Sequence, residues 1–142
     1  MSLRLDKFFG SWMAEFSPDY TAAETGLDRF TSFKKNTPFI GRDLAEAERA
    51  TPPARQLMAF EVDADDADVQ GYEPIWLDGA VVGFCTSGGY SHFAGKSIAL
   101  GFVPRARAAE GLNVEIEILG QMRPARLITT PLFDPEAVRM RG

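Results

Sequence analysis

The sequence predicts a mainly β fold, in which about six short antiparallel strands after residue 54 form a small barrel or sandwich. Three observations predict it. Apolar residues in this half recur with a period of two, which is typical of strands with one buried face. Asp78-Gly79 stands between two such runs, and this dipeptide is a strong signal for a hairpin turn. Thr51-Pro52-Pro53 separates this half from residues 1–50, because a proline cannot continue a helix.

The strands are predicted over residues 57–62, 73–77, 80–86, 97–103, 112–119 and 123–130. Residues 63–68 are predicted to form a solvated acidic loop. Ser87-Gly88-Gly89-Tyr90 is predicted to form a turn. Residues 105–110 are predicted to form a helical turn that Gly111 ends. The sequence therefore predicts two domains, over residues 1–50 and 54–142.

The first fifty residues are aromatic and irregular. Thr21 and Glu24 have the spacing of a capping box, which predicts a helix of one to two turns that ends at Gly26. Residues 42–50 (RDLAEAERA) are rich in helix formers and predict a helix. Phe30 and Phe33 are predicted to lie in a short extended piece. The remaining aromatic residues of this part are Phe8, Phe9, Trp12, Phe16, Tyr20 and Phe39.

Composition argues against several classes of partner. The chain has 142 residues and a formal net charge of -5, which argues against a nucleic-acid-binding surface. No stretch is apolar enough to span a bilayer, and no secretory signal follows Met1. The abrupt start predicts a piece cut from something longer. Cys85 is the single cysteine and is expected to be a buried structural thiol in a reducing compartment, which predicts a cytoplasmic location.

Most residues that could take part in catalysis or ligand binding have a simpler structural explanation. Gly95-Lys96-Ser97 lacks the first glycine of a phosphate loop, and a strand follows it rather than a helix. Tyr90 and His92 offer an acid/base pair, but no adjacent carboxylate orients the imidazole. The acidic loop lacks the glycine and glutamate of a calcium hand. We therefore predict neither a catalytic residue nor a metal site in this chain.

Arg4, Phe9 and Trp12 lie close together in the sequence and form a candidate ligand-binding group. A cation beside aromatic faces suits a planar, anionic ligand, which it holds by stacking and charge pairing. The alternative is that these rings belong to the core or to an interface, and composition alone favours this alternative. If they belong to an interface, several of the rings should be exposed or should mediate self-association.

Several segments resemble the aminomethyltransferase (glycine cleavage T-protein) superfamily in their order and spacing. They are residues 39–43 (FIGRD), 83–90 (GFCTSGGY), 95–104 (GKSIALGFVP) and 131–135 (PLFDP). Residues 3–12 (LRLDKFFGSW) and 24–27 (ETGL) are most similar to the folate domain of dimethylglycine and sarcosine dehydrogenases. Met13 and Ala22 depart from the usual glycine and proline.

The resemblance implies a three-part fold around a tetrahydrofolate site. Residues 54–142 would be its C-terminal antiparallel barrel, with six strands in a Greek-key or jelly-roll-like arrangement. Residues 1–50 would be an α+β remnant of the folate-binding domain, with the linker helix. The catalytic aspartate and the pterin-binding glutamate of the family would lie upstream. Of the family's folate contacts, only Arg4, Phe9 and Trp12 have counterparts here.

The implied activity is one-carbon transfer to tetrahydrofolate in a longer protein, which gives 5,10-methylenetetrahydrofolate. An upstream FAD domain would oxidise an N-methyl amine, and this chain alone would be inactive. The implied partners are therefore upstream domains and folate. Two alternatives stay open: a glycine-cleavage aminomethyltransferase or related demethylase, and a non-catalytic barrel that acts as a binding module.

Overall fold

The computed structural model describes residues 2–142, and its main feature is a closed antiparallel barrel of six strands. The strands follow the order β1-β4-β3-β2-β5-β6 around the barrel, and β1 closes the ring by pairing with both β4 and β6. This confirms the predicted barrel and excludes the sandwich. The strands are β1 (Arg55–Val62), β2 (Pro74–Leu77), β3 (Ala80–Ser91), β4 (Lys96–Pro104), β5 (Asn113–Ile118) and β6 (Gln121–Ile128).

Short helices precede and follow the barrel strands. They are α1 (Ser2–Asp6), α2 (Arg42–Ala50) and α3 (Val138–Arg141), with 3-10 turns at Asp28–Phe30 and Arg105–Arg107. The prediction of a helix over residues 42–50 is confirmed. None of the helices in the described part of the chain is long and apolar enough to cross a membrane.

The hairpin prediction at Asp78-Gly79 is confirmed in its backbone geometry. Both residues have positive φ, 52° and 77°, as a two-residue type I′ turn requires. The predicted turn at Ser87-Gly88-Gly89-Tyr90 is wrong, because β3 continues through these residues to Ser91. Gly88 is instead required by close packing, since a Cβ there would lie 2.5 Å from Val69 Cβ.

The predictions for residues 21–33 are confirmed only in part. The Thr21 amide donates to Glu24 Oε2 at 2.9 Å, and the Glu24 amide donates to Thr21 Oγ1 at 3.2 Å, so the capping box forms. Gly26 is left-handed as predicted, with φ of 72°. The backbone makes a single turn there rather than a regular helix. Phe30 lies in a 3-10 turn and not in an extended piece.

Glu24 also attaches the first part of the chain to the barrel. Its Oε1 accepts a hydrogen bond from Arg55 Nε at 2.6 Å, at the start of β1. Arg105 donates to Ala23 O and to Pro53 O, each at 2.9 Å. The Arg55 guanidinium lies over the ring of Tyr20, 5.0 Å from its centroid. These contacts hold the polypeptide before Pro53 against one end of the barrel.

The strands bury apolar residues on both sides of the barrel wall. The interior is filled by Phe60, Val62, Val69, Ile75, Cys85, Ala99, Val103, Val114, Ile116, Ile118, Ala125 and Leu127. A second cluster contains Leu5 of α1 and four strand residues, with Phe8 and Leu132 packed at its edge, and covers part of the outer face. Because side chains alternate along a strand, β4 supplies Ala99 to the interior and Ile98 and Leu100 to this outer cluster.

Candidate functional site

The turn that ends α1 brings two of the predicted ligand-binding residues together. The Phe9 amide donates to Arg4 O at 2.8 Å and the Phe8 amide donates to Leu5 O at 2.9 Å, which is the Schellman pattern. Phe8 takes the left-handed position, with φ of 56°, where glycine is the usual residue. The reversal lets Arg4 Nη1 donate to Phe9 O at 3.0 Å.

Trp12 is close in sequence but presents its ring to solvent. Its exposed fraction is 80%, against 42% for Phe9. Leu3 and Met13 are also exposed. Several rings of the first part of the chain are thus exposed, as expected for an interface. The structure therefore brings Arg4 and Phe9 into contact and leaves the Trp12 indole exposed to solvent.

Glu15 is the residue of this region that the sequence did not predict. Its side chain is fully buried. Its Oε2 accepts a hydrogen bond from the Ser11 amide at 2.6 Å and lies 3.7 Å from Arg4 Nη1. Its Oε1 accepts from the hydroxyls of Thr86, at 2.7 Å, and of Ser87. The carboxylate thus connects Arg4 to strand β3.

An irregularity in β3 allows two consecutive hydroxyls to reach one carboxylate oxygen. Neighbouring side chains of a regular strand point to opposite faces. The β3–β4 register shifts between Cys85 and Ser87, which is where a bulge reorients side chains. Cys85 therefore points into the barrel, while Thr86 and Ser87 both reach Glu15.

Glu15 is held in its ionised form. Burial by itself raises the pKa of this carboxyl, because charge is poorly solvated there. Hydrogen bonds from the Ser11 amide and from the Ser87 and Thr86 hydroxyls outweigh burial, so the pKa of Glu15 lies below its ordinary value. At neutral pH a negative charge therefore lies buried beside the Arg4 guanidinium.

The other candidate residues from the sequence make contacts that explain them as structural or surface residues. Lys96 pairs with Glu61 across the strands, at 3.1 Å, and Ser97 is buried and donates to Asp68 at 2.8 Å. His92 is exposed in the β3–β4 turn, with its ring edge-on to Tyr90. Within residues 2–142, no group of three or more His, Cys, Asp or Glu side chains could hold a metal ion.

Cys85 is the buried structural thiol that the sequence predicted. It lies inside the barrel with no exposed surface. Burial raises the pKa of its thiol well above the ordinary range, and the nearby Glu73 carboxylate adds to this shift. The thiol is therefore protonated at neutral pH and does not act as a nucleophile.

Comparison with known proteins agrees with this architecture. The chain is 39% identical to mouse dimethylglycine dehydrogenase over 140 residues, 99% of this chain and 16% of that protein. It is 35% identical to the aminomethyltransferase of Symbiobacterium thermophilum over 132 residues, 93% of this chain and 35% of that protein. The chain thus spans a minor part of these relatives.

A solved structure has the same fold. The crystal structure of the glycine cleavage system aminomethyltransferase T from Bartonella henselae superposes with a TM-score of 0.85. It matches 94% of this chain and 38% of its own, at 21% sequence identity. The sequence pattern of the glycine cleavage T-protein C-terminal barrel domain matches residues 55–134, which contain all six strands. The chain therefore belongs to the family of glycine cleavage T-protein C-terminal barrel domains.

Proposed function

We propose that this chain is the C-terminal part of a tetrahydrofolate-dependent one-carbon transfer enzyme, namely the folate domain of a flavin-linked dimethylglycine or sarcosine dehydrogenase. The observation that carries the proposal is the similarity to dimethylglycine dehydrogenase. It extends over 99% of the chain, so it includes the segment of Arg4, Phe9 and Trp12 as well as the barrel. The sarcosine dehydrogenase of mouse also matches over 99% of the chain, at 29% identity.

Residues of α1 and of the segment that follows it fit one side of a folate site. A folate has a flat pterin and an anionic tail, and these call for a ring surface and a cation. The exposed Trp12 indole offers the ring surface, and Arg4 offers the cation. Glu15 is no substitute for a pterin-binding carboxylate, because both its oxygens already accept hydrogen bonds inside the protein. The acidic groups of the site would come from upstream domains.

In this proposal the residues of the chain bind and position rather than react. Bound tetrahydrofolate supplies the nitrogen atoms that accept the carbon unit, and an upstream FAD domain supplies the oxidation of the N-methyl amine. Arg4 would pair with the anionic tail, and the aromatic rings would pack against the flat part of the ligand. The barrel would close the site and exclude water, which otherwise hydrolyses the oxidised amine to formaldehyde.

A chimeric enzyme that contains this chain tests the proposal. This chain replaces the matching 140 residues of mouse dimethylglycine dehydrogenase, and 5,10-methylenetetrahydrofolate and formaldehyde are measured with dimethylglycine and tetrahydrofolate. We expect the chimera to form 5,10-methylenetetrahydrofolate. Arg4→Gln should raise the KM for tetrahydrofolate about tenfold, and Trp12→Ala about threefold to tenfold. Flavin reduction by dimethylglycine should stay unchanged in both variants.

Two exposed residues away from α1 serve as matched controls. Arg107→Gln removes an exposed arginine of the barrel, and Phe30→Ala removes an exposed ring. Neither should change the KM for tetrahydrofolate. A chimera with normal flavin reduction that releases only formaldehyde would contradict the proposed function.

The similarity to aminomethyltransferases supports a second candidate, transfer of an aminomethyl group to tetrahydrofolate. The matching 132 residues of the Symbiobacterium enzyme can be exchanged in the same way. Activity in this second chimera alone would favour the aminomethyltransferase. If neither chimera uses tetrahydrofolate although both fold, a binding module that associates through Phe9 and Trp12 becomes the better account. Size-exclusion chromatography of the chain and its Trp12→Ala variant then tests that association.

A further inference from the structure

Glu15 is buried beside Arg4, one of the proposed ligand-binding residues. It is a fully buried carboxylate on the outer face of the barrel, between the end of α1 and strand β3. Removing a carboxylate from water is costly, and replacing buried ion pairs by well-packed apolar residues is often neutral or stabilising. The same segment of the chain supplies Leu5 and Phe8 to the outer apolar cluster, so an apolar side chain would suit this region. The charge therefore points to a role beyond packing.

The geometry of Arg4 indicates what this role is. A single guanidinium nitrogen, Nη1, lies 3.7 Å from Glu15 Oε2 and 3.0 Å from Phe9 O. The same Glu15 oxygen accepts the Ser11 amide hydrogen at 2.6 Å, so the carboxylate itself is fixed. Only 18% of the Arg4 side chain is exposed, which is low for an arginine at the end of a short surface helix. These contacts hold the Arg4 guanidinium in place at Nη1.

We infer that Glu15 is a positioning residue that orients the Arg4 guanidinium toward the anionic part of the ligand. This inference rests on the proposed function for its ligand, but the orientation itself is a property of the free chain. A fixed guanidinium loses less conformational freedom when it binds an anion, which strengthens binding without any new contact.

Strand β3 also helps to position Arg4, because two of its side chains hold Glu15. The Thr86 hydroxyl has one hydrogen and lies 2.7 Å from Glu15 Oε1 and 3.1 Å from Leu100 O. Because the charged acceptor forms the stronger hydrogen bond, Thr86 donates to Glu15. Ser87 donates to the same oxygen. The bulge thereby sets the position of Glu15, and through it that of Arg4, from the rigid wall of the barrel.

The dehydrogenase chimera tests the effect on binding. Glu15→Gln keeps the shape and one of the two acceptor oxygens but removes the charge. We expect it to raise the KM for tetrahydrofolate about tenfold in the Arg4 background and less than about twofold in the Arg4→Gln background. Ser87→Ala keeps both charges and should raise the KM by a smaller factor of about two to three, so the test survives if Glu15→Gln fails to fold.

Glu24→Gln is the matched control. Glu24 is also buried, also pairs with an arginine and also attaches the first part of the chain to the barrel, but it lies at Arg55. It should lower stability without changing the KM for tetrahydrofolate. If Glu15→Gln and Ser87→Ala change the KM no more than Glu24→Gln does, Glu15 is structural only and the inference is overturned. An equal effect of Glu15→Gln with and without Arg4 also overturns it.

A measurement on the free chain separates this inference from the proposed function. In ¹⁵N-detected NMR of the 142-residue chain, rotation of the Arg4 guanidinium should be slow enough to give separate Nη signals. These signals should merge in Glu15→Gln and stay separate in Glu24→Gln. If they stay separate in Glu15→Gln, Glu15 does not orient Arg4. If they merge while no chimera uses tetrahydrofolate, the proposed function fails and the orientation of Arg4 by Glu15 stands.

Discussion

Gly83 packs closely against the backbone of strand β4, and its replacement by alanine tests this packing. A Cβ at Gly83 would lie 1.9 Å from Phe102 O. The obstacle is a backbone atom of β4, and β4 is paired on one side with β1 and on the other with β3. No side-chain rotation relieves the contact, so the two strands must separate.

The size of the effect follows from the geometry. The carbonyl must retreat by about 1 Å to reach 3.0 Å, a distance below which real Cβ atoms essentially never come. Extra volume in a well-packed core costs about 1 to 3 kcal/mol, and a rigid neighbour places Gly83→Ala at the upper end. With an m-value of about 2 kcal/mol/M, a loss of about 3 kcal/mol lowers the urea midpoint by about 1.5 M.

The assay is urea unfolding of the purified chain, followed by far-UV circular dichroism. Gly79→Ala is the matched control, because Gly79 has a φ of 77° and no atom within 4 Å of an added Cβ. Its cost is backbone strain alone, about 1 kcal/mol. The reasoning is refuted if Gly83→Ala is no more destabilising than Gly79→Ala, since the close approach would then be absent in solution.

Three further predictions concern the core, Glu15 and Cys85. Phe60 is fully buried inside the barrel, so Phe60→Ala should lower the free energy of unfolding by about 3 to 5 kcal/mol in urea titrations, whereas exposed Phe93→Ala should change it by less than about 0.5 kcal/mol. The pKa of Glu15 is lower in the folded chain than its ordinary 4.5, so its stabilisation is complete above about pH 4.5 and is lost as the pH falls through the folded-state pKa; thermal unfolding of Glu15→Gln should depend less on pH in this acidic range, and an unchanged dependence would contradict the assignment. Cys85 should resist iodoacetamide at pH 8 in the folded chain and react in 8 M urea, because burial raises the pKa of its thiol; fast labelling of the native chain would refute this.

Local patterns predicted the barrel well because its strands alternate regularly. In β5, Val114, Ile116 and Ile118 are buried, whereas Glu115 is exposed, as the period of two indicates. The Asp78-Gly79 turn was equally clear, because only a few dipeptides tolerate two positive φ angles. These features depend on residues that are close in sequence.

The prediction that failed and the contacts that were not predicted both depend on residues that are distant in sequence. Ser87-Gly88-Gly89-Tyr90 has the composition of a turn, but its glycines make room for Val69 and Leu5 beside a continuous strand. The contacts of Glu15 with β3 span more than seventy residues, and no local pattern predicts them. The neighbouring Trp12 and Met13 are themselves exposed, so the local sequence carried no signal that Glu15 is buried.

The site residues were selected by resemblance, and their placement was only partly predictable. Arg4 and Phe9 meet because α1 ends in a left-handed Phe8, and sequence rules expect glycine at such a position. The assignment of Arg4, Phe9 and Trp12 to folate and the division at Pro52-Pro53 stay predictions, as does the cytoplasmic location.

The closure of the barrel through β1 has a consequence for folding. β1 pairs Val62 with Ser97 and Ala59 with Ile128, so its partners lie roughly 35 to 70 residues away along the chain. The β2–β3 and β5–β6 hairpins need only short loops and can form early, whereas β1 pays a larger entropic penalty for its long-range contacts. During synthesis β1 leaves the ribosome before both of its neighbours and must wait for β6. We therefore expect refolding in the range of milliseconds to seconds, with the docking of β1 as the late step.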